Sequence, residues 1–326
     1  MALDQYHREI HYLRVSVTDA CNLRCVYCMP ESMSFRPGSA LLQDDEILRL
    51  IRLFASLGFD KIRFTGGEPT LRSNIVGLVK GAAETPGVKK IGITTNGVLL
   101  GHLARPLREA GLTKVNVSLD TLDPGRFRQI TRWGHLRDVL EGIESATRAG
   151  LPVKINAVVA KGLNDGPDVV DLARLTVERD WQVRFIEMMP FGGIADFQLA
   201  HSVGEETLRR NITAALGPLD LCDGGRLDGE ARVYRLRGAK GTLGFISPVS
   251  APFCAACNRA RLTADGMLRL CLLREQESDL RSLLRGGADD DTLREAIRAS
   301  IHQKPWGHGL ATSQFATNRT MSEIGG

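Results

Sequence analysis

Apolar and β-branched residues recur along the chain in short runs, at 14–18, 61–65, 90–95, 114–120, 152–160 and 181–189. Each run is bounded by turn residues and has the length of a buried strand. Between the runs the apolar period lengthens to that of a helix. Ile47, Ile51, Phe54 and Leu57 lead to Gly58, and Leu136, Val139, Leu140, Ile143 and Ala146 lead to Gly150. A glycine just past a periodic stretch is a common helix stop. The alternation is that of βα units, and six strands about 25 to 45 residues apart predict an α/β fold whose parallel sheet curls into a barrel or part of one.

After about residue 191 the rhythm changes. Gly-rich turns separate strand-like pieces at 232–237 and 241–247, and Asp265-Gly266 marks a hairpin. Helices are expected over 277–284 and 291–301, and the last twenty residues are polar with no apolar periodicity before Ile324. The expected division is a barrel region over 1–190 and a smaller region over 191–326 that carries the hairpin and helices.

Length and composition set broad limits. At 326 residues, with 43% hydrophobic and 25% charged residues, the chain can bury a substantial core. Its formal charge of +4 is too small for a nucleic-acid coat, but 42 Lys and Arg leave room for a local basic site for an anionic ligand. Asp4, Arg8, Glu9 and Arg14 break up the first twenty residues, and nowhere do about 18 uncharged apolar residues run together. The expectation is a cytoplasmic protein that binds neither membrane nor nucleic acid. Seven cysteines fall as a triad near the start, a triad near the end and a lone Cys222. In a reducing compartment that clustering points to metal ligands rather than disulfides.

In barrels of parallel strands the chemistry gathers at the carboxyl ends of the strands. Here those ends carry the loop with Cys21, then Gly66-Gly67-Glu68-Pro69, Asn96-Gly97, Ser118-Leu119-Asp120 and Glu187-Met188-Met189. Three residues separate Cys21 from Cys25 and two separate Cys25 from Cys28, so one loop can wrap three corners of an iron-sulfur cube. No fourth cysteine lies nearby, which leaves one iron open to a ligand. A structural zinc loop is the plainer reading of three arbitrary cysteines. Tyr27 before the last cysteine and the Gly-Gly-Glu-Pro segment after the second strand tell against it. Gly66 and Gly67 would let backbone approach a ligand closely.

The second triad, Cys254, Cys257 and Cys271, straddles the expected hairpin. Its spacing also suits a zinc ribbon, which needs a fourth ligand such as His302 or His308. Arg259 and Arg261 alternate on one strand face beside Cys257 and could grip a polyanion next to an open iron.

The first triad with its aromatic neighbour and the Gly-Gly-Glu-Pro run resembles the radical S-adenosylmethionine (SAM) superfamily. The resemblance implies an incomplete TIM-like (βα)6 barrel, SAM on the open iron, and its one-electron cleavage to a 5′-deoxyadenosyl radical. Residues 18–30, 63–69 and 254–271 and the terminal Gly325-Gly326 together resemble one branch, the enzymes that cyclise GTP at the start of molybdenum cofactor biosynthesis. That likeness spans essentially the whole chain. It implies two four-iron clusters, the second one open to the guanine of GTP. Tyr27, Gly67, Glu68, Ser118 and Met189 are the implied SAM contacts. Arg14, Arg63, Thr94, Lys154, Arg184, Arg259, Ala260 and Arg261 are the implied GTP contacts. Arg259, Arg261, Gly325 and Gly326 are the implied catalytic set, the glycine tail threading into the site. An external electron donor, a downstream cyclic pyranopterin monophosphate synthase and a homodimer complete the implied partners. The chain departs from the pattern at Ala20, where a bulky basic residue is common, and over 247–251, which is more apolar than expected. Competing readings are a peptide-modifying radical SAM enzyme with an auxiliary cluster and a non-catalytic iron-sulfur or zinc protein. The first usually fills its auxiliary cluster with extra cysteines, of which this chain has only Cys222 to spare, and the second explains neither the Gly-Gly-Glu-Pro element nor the arginine set.

Overall fold

A computed structural model describes residues 2–190, 192, 195–309 and 319–325. The six expected strands form as β1 (Tyr12–Ser16), β2 (Lys61–Thr65), β3 (Lys90–Thr95), β4 (Lys114–Ser118), β5 (Val153–Val159) and β6 (Gln182–Glu187), each parallel to the next. Six more follow: β7 (Leu219–Leu221), β8 (Arg232–Leu236), β9 (Thr242–Ile246), β10 (Arg259–Leu262), β11 (Met267–Arg269) and β12 (Glu277–Asp279). All belong to one twelve-stranded sheet in the order β12-β11-β10-β1-β2-β3-β4-β5-β6-β9-β8-β7. Strand β10 runs parallel to β1 and β9 parallel to β6, so the later part of the chain extends the parallel sheet at both edges. The incomplete barrel that the first half builds is thereby widened by strands no βα rhythm announces.

Side chains alternate across the sheet. Leu13, Val15, Ile62, Phe64, Ile93, Val115, Val117, Ile155, Val183 and Phe185 are buried on the face that packs against helices. Among those helices are Asp44–Ser56, started by a Gln43/Glu46 capping box, and Leu136–Arg148. The intervening positions carry Arg14, Arg63, Asn116, Asn156, Arg184 and Arg261, and these face the concave side. Burying apolar residues on one face is what commits the polar set to the other.

Three expectations shift. The first strand begins and ends two residues early, because 17–20 leave its line to bond across to the next loop: Thr18 O accepts from Gly67 N at 2.8 Å and Ala20 O from Glu68 N at 2.7 Å. The helix expected over 277–284 starts only at Leu280, because 277–279 pair with β11 and Asp279 caps the helix through Ser282 N at 2.8 Å. Helices Ala195–Ala200 and Glu205–Leu216 lie where no element was expected.

Candidate active site

The carboxyl ends of the strands open into one cavity lined by both thiol triads, with the inward cations of the sheet between them. The first triad sits on a loop held from several sides. Arg24, itself buried, donates to Cys21 O at 2.7 Å, Leu23 O at 2.9 Å and Glu31 O at 3.1 Å, and its guanidinium lies over the rings of Trp133 and Phe35. A β-carbon on Gly66 would stand 2.5 Å from Thr18 O, and one on Gly67 would stand 2.4 Å from Asp19 O and Ala20 O. The paired glycines therefore allow close backbone contact with the cysteine loop, and both also line the cavity. Glu68 is fully buried and accepts from Thr70 N and Oγ1, Thr95 Oγ1 and Asn96 N at 2.6–3.0 Å. Burial raises its carboxyl, and those donors hold it down in part. Tyr27 donates its hydroxyl to Asp120 Oδ2 at 2.6 Å, and its carbonyl accepts from Gln198 Nε2 at 3.0 Å.

Burial pushes the Cys21 thiol up to about 11 and the Cys28 thiol to about 12, and raises Cys25 as well. A cationic centre bound there would offset that burial and stabilise the thiolates, the normal ligands of iron-sulfur clusters. Among the described residues no three His, Cys, Asp or Glu side chains converge as a single metal ion requires. A cube takes its ligands at separate corners, and three thiols on one short cavity-lining loop are the donor set for three of them.

The second triad is anchored by both ends of the chain. Arg8 pairs with Asp4 at 2.6 Å and donates to Cys254 O at 2.7 Å, Pro305 O at 2.7 Å and Trp306 O at 2.9 Å. Lys304, 1% exposed, donates from Nζ to Arg259 O at 2.8 Å and to Leu270 O. Burial opposes ionisation of Cys257, but Lys304 and Arg259 outweigh it and bring the thiol down to about 7. His308 lines the cavity beside Cys254, whereas His302 is exposed. The apolar stretch 247–251 is pinned by Glu187 Oε2, which accepts from Val249 N and Ser250 N at 2.9 Å each.

Between the triads the inward positions of neighbouring strands stand side by side: Tyr12 and Arg14 on β1, Lys61 and Arg63 on β2, Thr94 on β3, Lys114, Asn116 and Ser118 on β4, Lys154 on β5, Arg184 on β6, and Arg259 and Arg261 on β10. Arg63 donates to Tyr12 Oη, Ile93 O at 3.1 Å and Thr94 Oγ1 at 3.3 Å, while Arg184 donates to Asn156 Oδ1 at 2.9 Å. Burial and mutual repulsion depress the cations: Arg14 falls to about 10 and Lys114 to about 8, and Lys61, Lys154 and Arg184 are also lowered. For Tyr12 burial acts upward, yet Arg63 and Arg14 prevail and bring it down to about 8. Such a cluster calls for a polyanion.

The tail reaches this cluster. Thr320 and Glu323 form a capping box for the helix Met321–Ile324, and Ile324 packs near Met189, Cys271 and Leu273. Gly325 then turns left-handed (φ 84°), and its carbonyl accepts from Arg261 Nη1 at 3.1 Å. A β-carbon there would lie 2.7 Å from both Ser16 Cβ and Thr65 Oγ1. Gly326 lies outside the described residues.

The cavity thus brings together the six cysteines, Tyr27, Gly67, Glu68, Ser118, Met189, Arg14, Arg63, Thr94, Lys154, Arg184, Arg259 and Arg261. Ala260 is not among them: it points to the opposite face of β10 and is buried in the core with Leu13. Lys61 and Lys114 were missed, although Lys61 sits two residues from Arg63 and so shares its face. Glu230 and Asp228 were missed too, and a sequence offers no sign that a distant turn folds over the cations. Cys222 packs against the cluster of Ala231, Val233 and Ile246 and is not among the residues that line the cavity.

Residues 15–175 match the Radical SAM superfamily and residues 181–310 match Molybdenum Cofactor Synthesis C. Among solved structures, SuiB of Streptococcus suis bound to S-adenosylmethionine superposes over 89% of this chain and 68% of its own, with a TM-score of 0.57 at 16% identity. The curled parallel sheet and the three-cysteine loop at its mouth define a radical SAM enzyme. GTP 3′,8-cyclase of Thermodesulfovibrio yellowstonii is 45% identical over 99% of both chains, and that of Heliobacterium modesticaldum is 46% identical over 99% of this chain and 100% of its own. The chain belongs to the GTP 3′,8-cyclase family.

Proposed function

We infer that this chain converts GTP to 3′,8-cyclo-7,8-dihydroguanosine 5′-triphosphate, the first step of molybdenum cofactor biosynthesis. The observation that carries the reading is one cavity with a thiol triad at each end and an arginine and lysine cluster between. Cys21, Cys25 and Cys28 would hold one four-iron cluster and Cys254, Cys257 and Cys271 the other. Bound there with SAM, the first cluster would supply 5′-deoxyadenosyl radical chemistry for removing hydrogen from C3′ of the GTP ribose, and closing C3′ on C8 of guanine would need one further electron and a proton to reach the dihydro product.

The chain's own residues orient, screen and exclude water. Arg14, Lys61, Arg63, Lys154, Arg184 and Arg259 neutralise the triphosphate, which brings about four negative charges near neutral pH. Gly67, Glu68, Ser118 and Met189 line the end of the cavity at the first triad and position SAM, and Tyr27 braces that end through Asp120. Arg261 and the Gly325 carbonyl stand between the two ends, where the sugar would lie. Residues 1–190 form the unit for SAM, and 191–326 bring the second triad and the tail. An external one-electron donor completes the partners, and among the described residues no helix is long and apolar enough to cross a membrane.

Anaerobic reconstitution should give about eight irons per chain, four for each cluster. Reduced protein mixed with SAM and GTP should yield 5′-deoxyadenosine and a cyclised nucleotide together. Deoxyadenosine formed equally with and without GTP would reject GTP as the substrate.

A further inference from the structure

The segment between β7 and β8 carries Gly224, Gly225 and Gly229 in left-handed conformations (φ 60°, 85° and 70°). It closes as a tight turn in which Asp228 N donates to Ala231 O at 3.0 Å and Ala231 N to Asp228 O at 3.3 Å. The turn delivers two carboxylates to the cation cluster. Glu230 Oε1 lies 3.2 Å from Arg259 Nη1, and Asp228 takes the ammonium of Lys154. Arg259, Arg184, Arg14 and Arg63 together hold the Glu230 carboxyl far below the usual range against its burial. These are the cations given above to the triphosphate. A triphosphate would compete with these carboxylates for the same guanidinium groups, because like charges brought together in a partly desolvated cavity repel strongly.

We propose that the Asp228-Gly229-Glu230 turn is a displaceable internal counter-anion, which balances the cation cluster and leaves it when a triphosphate takes its place. Without such a balance, the converging cations would repel one another in a cavity that already depresses Arg14 and Lys114. The exchange favours the ligand because a triphosphate carries about four charges against the turn's two carboxylates. Three left-handed glycines give the segment the backbone freedom to swing out. The identity of the ligand as GTP rests on the function inferred above. The turn's response to a bare triphosphate does not.

The test uses the full chain reconstituted with its clusters, as wild type and as Glu230→Gln, titrated by calorimetry with sodium tripolyphosphate and with GTP. Glu230→Gln should bind both about tenfold more tightly at low salt, the scale of one close charge pair at a binding site. The gain should shrink at about 1 M salt, where the Debye length is roughly 3 Å. Independently of any variant, amide hydrogen exchange over residues 224–231 of the wild type should speed up when either ligand is added. Unchanged or weaker binding by the variant, together with unchanged exchange, overturns the proposal. If tripolyphosphate displaces the turn and GTP does not, the turn stands and GTP falls as the ligand. If GTP is cyclised with no change in exchange or in the variant's affinity, GTP stands and the turn falls.

Discussion

Gly244 stands beside Arg184 in the strand register, and Gly92 beside Arg63. A β-carbon on Gly244 would lie 2.9 Å from Arg184 Cγ and 3.2 Å from Ala231 Cβ, and one on Gly92 would lie 2.9 Å from Arg63 Nη2. Each arginine thus reaches the cavity through space that a glycine on the next strand leaves open. Gly244→Ala should push the Arg184 stem aside, overpacking that costs about 1 to 3 kcal/mol. The expected outcome is GTP affinity lowered roughly tenfold or more, with the iron content of the reconstituted protein unchanged. Calorimetry and iron analysis on the same sample check it, and wild-type affinity would reject the pairing. A reader of the sequence sees Gly92 and Gly244 only as weak points in strands. Their partners become visible once register is known.

The strands and the cysteine loop were legible at the scale of elements because local patterns specify them. A β-branched run between turns, or three cysteines within eight positions, says much about itself. Strands β9 and β10 were recognisable as strands, but their parallel pairing with β6 and β1 depends on contacts between segments distant in the chain. The tail shows the same limit. Its short helix Met321–Ile324 is stabilised by Arg36, whose Nη1 lies 2.9 Å from Glu323 Oε1, and by apolar contact near Met189, neither of which a polar terminal stretch announces. Its function rests on the turn at Gly325. Gly325→Ala adds a β-carbon into Ser16 and Thr65 at a left-handed φ, so the tail should unseat from Arg261. Cyclisation should then fall by about a hundredfold, as when a positioning contact near the reaction is misplaced by about 1 Å. Both clusters should keep their wild-type spectra, and removing Gly325 and Gly326 should act the same way. Full turnover by either variant would exclude the tail from the chemistry.

For the whole molecule, a formal charge of +4 hides a cavity in which the sheet concentrates cations from six strands. Composition could exclude a general polyanion surface, but only the curl of the sheet shows that the charge is focused inward. That focusing has a pH signature. Burial, then Lys61, Arg63 and Lys154, bring Lys114 down to about 8, and the arginines bring Tyr12 to about 8 against its burial. Below that pH Lys114 is charged and Tyr12 is neutral. Above it Lys114 loses its positive charge and Tyr12 gains a negative one, so both changes subtract positive potential as pH rises. The second ionisation of a phosphate lies near about 6, so the ligand's charge is nearly constant from about pH 7 to 9. A bound polyanion favours the protonated form of both groups. GTP affinity should therefore fall with rising pH, by up to about tenfold per unit for each group. Lys114→Arg keeps its charge throughout and Tyr12→Phe cannot ionise, so the double variant should bind GTP with a much flatter profile. Calorimetric titrations at several pH values decide it: a flat wild-type profile, or an equal slope in the double variant, would show that the cavity's charge is set elsewhere.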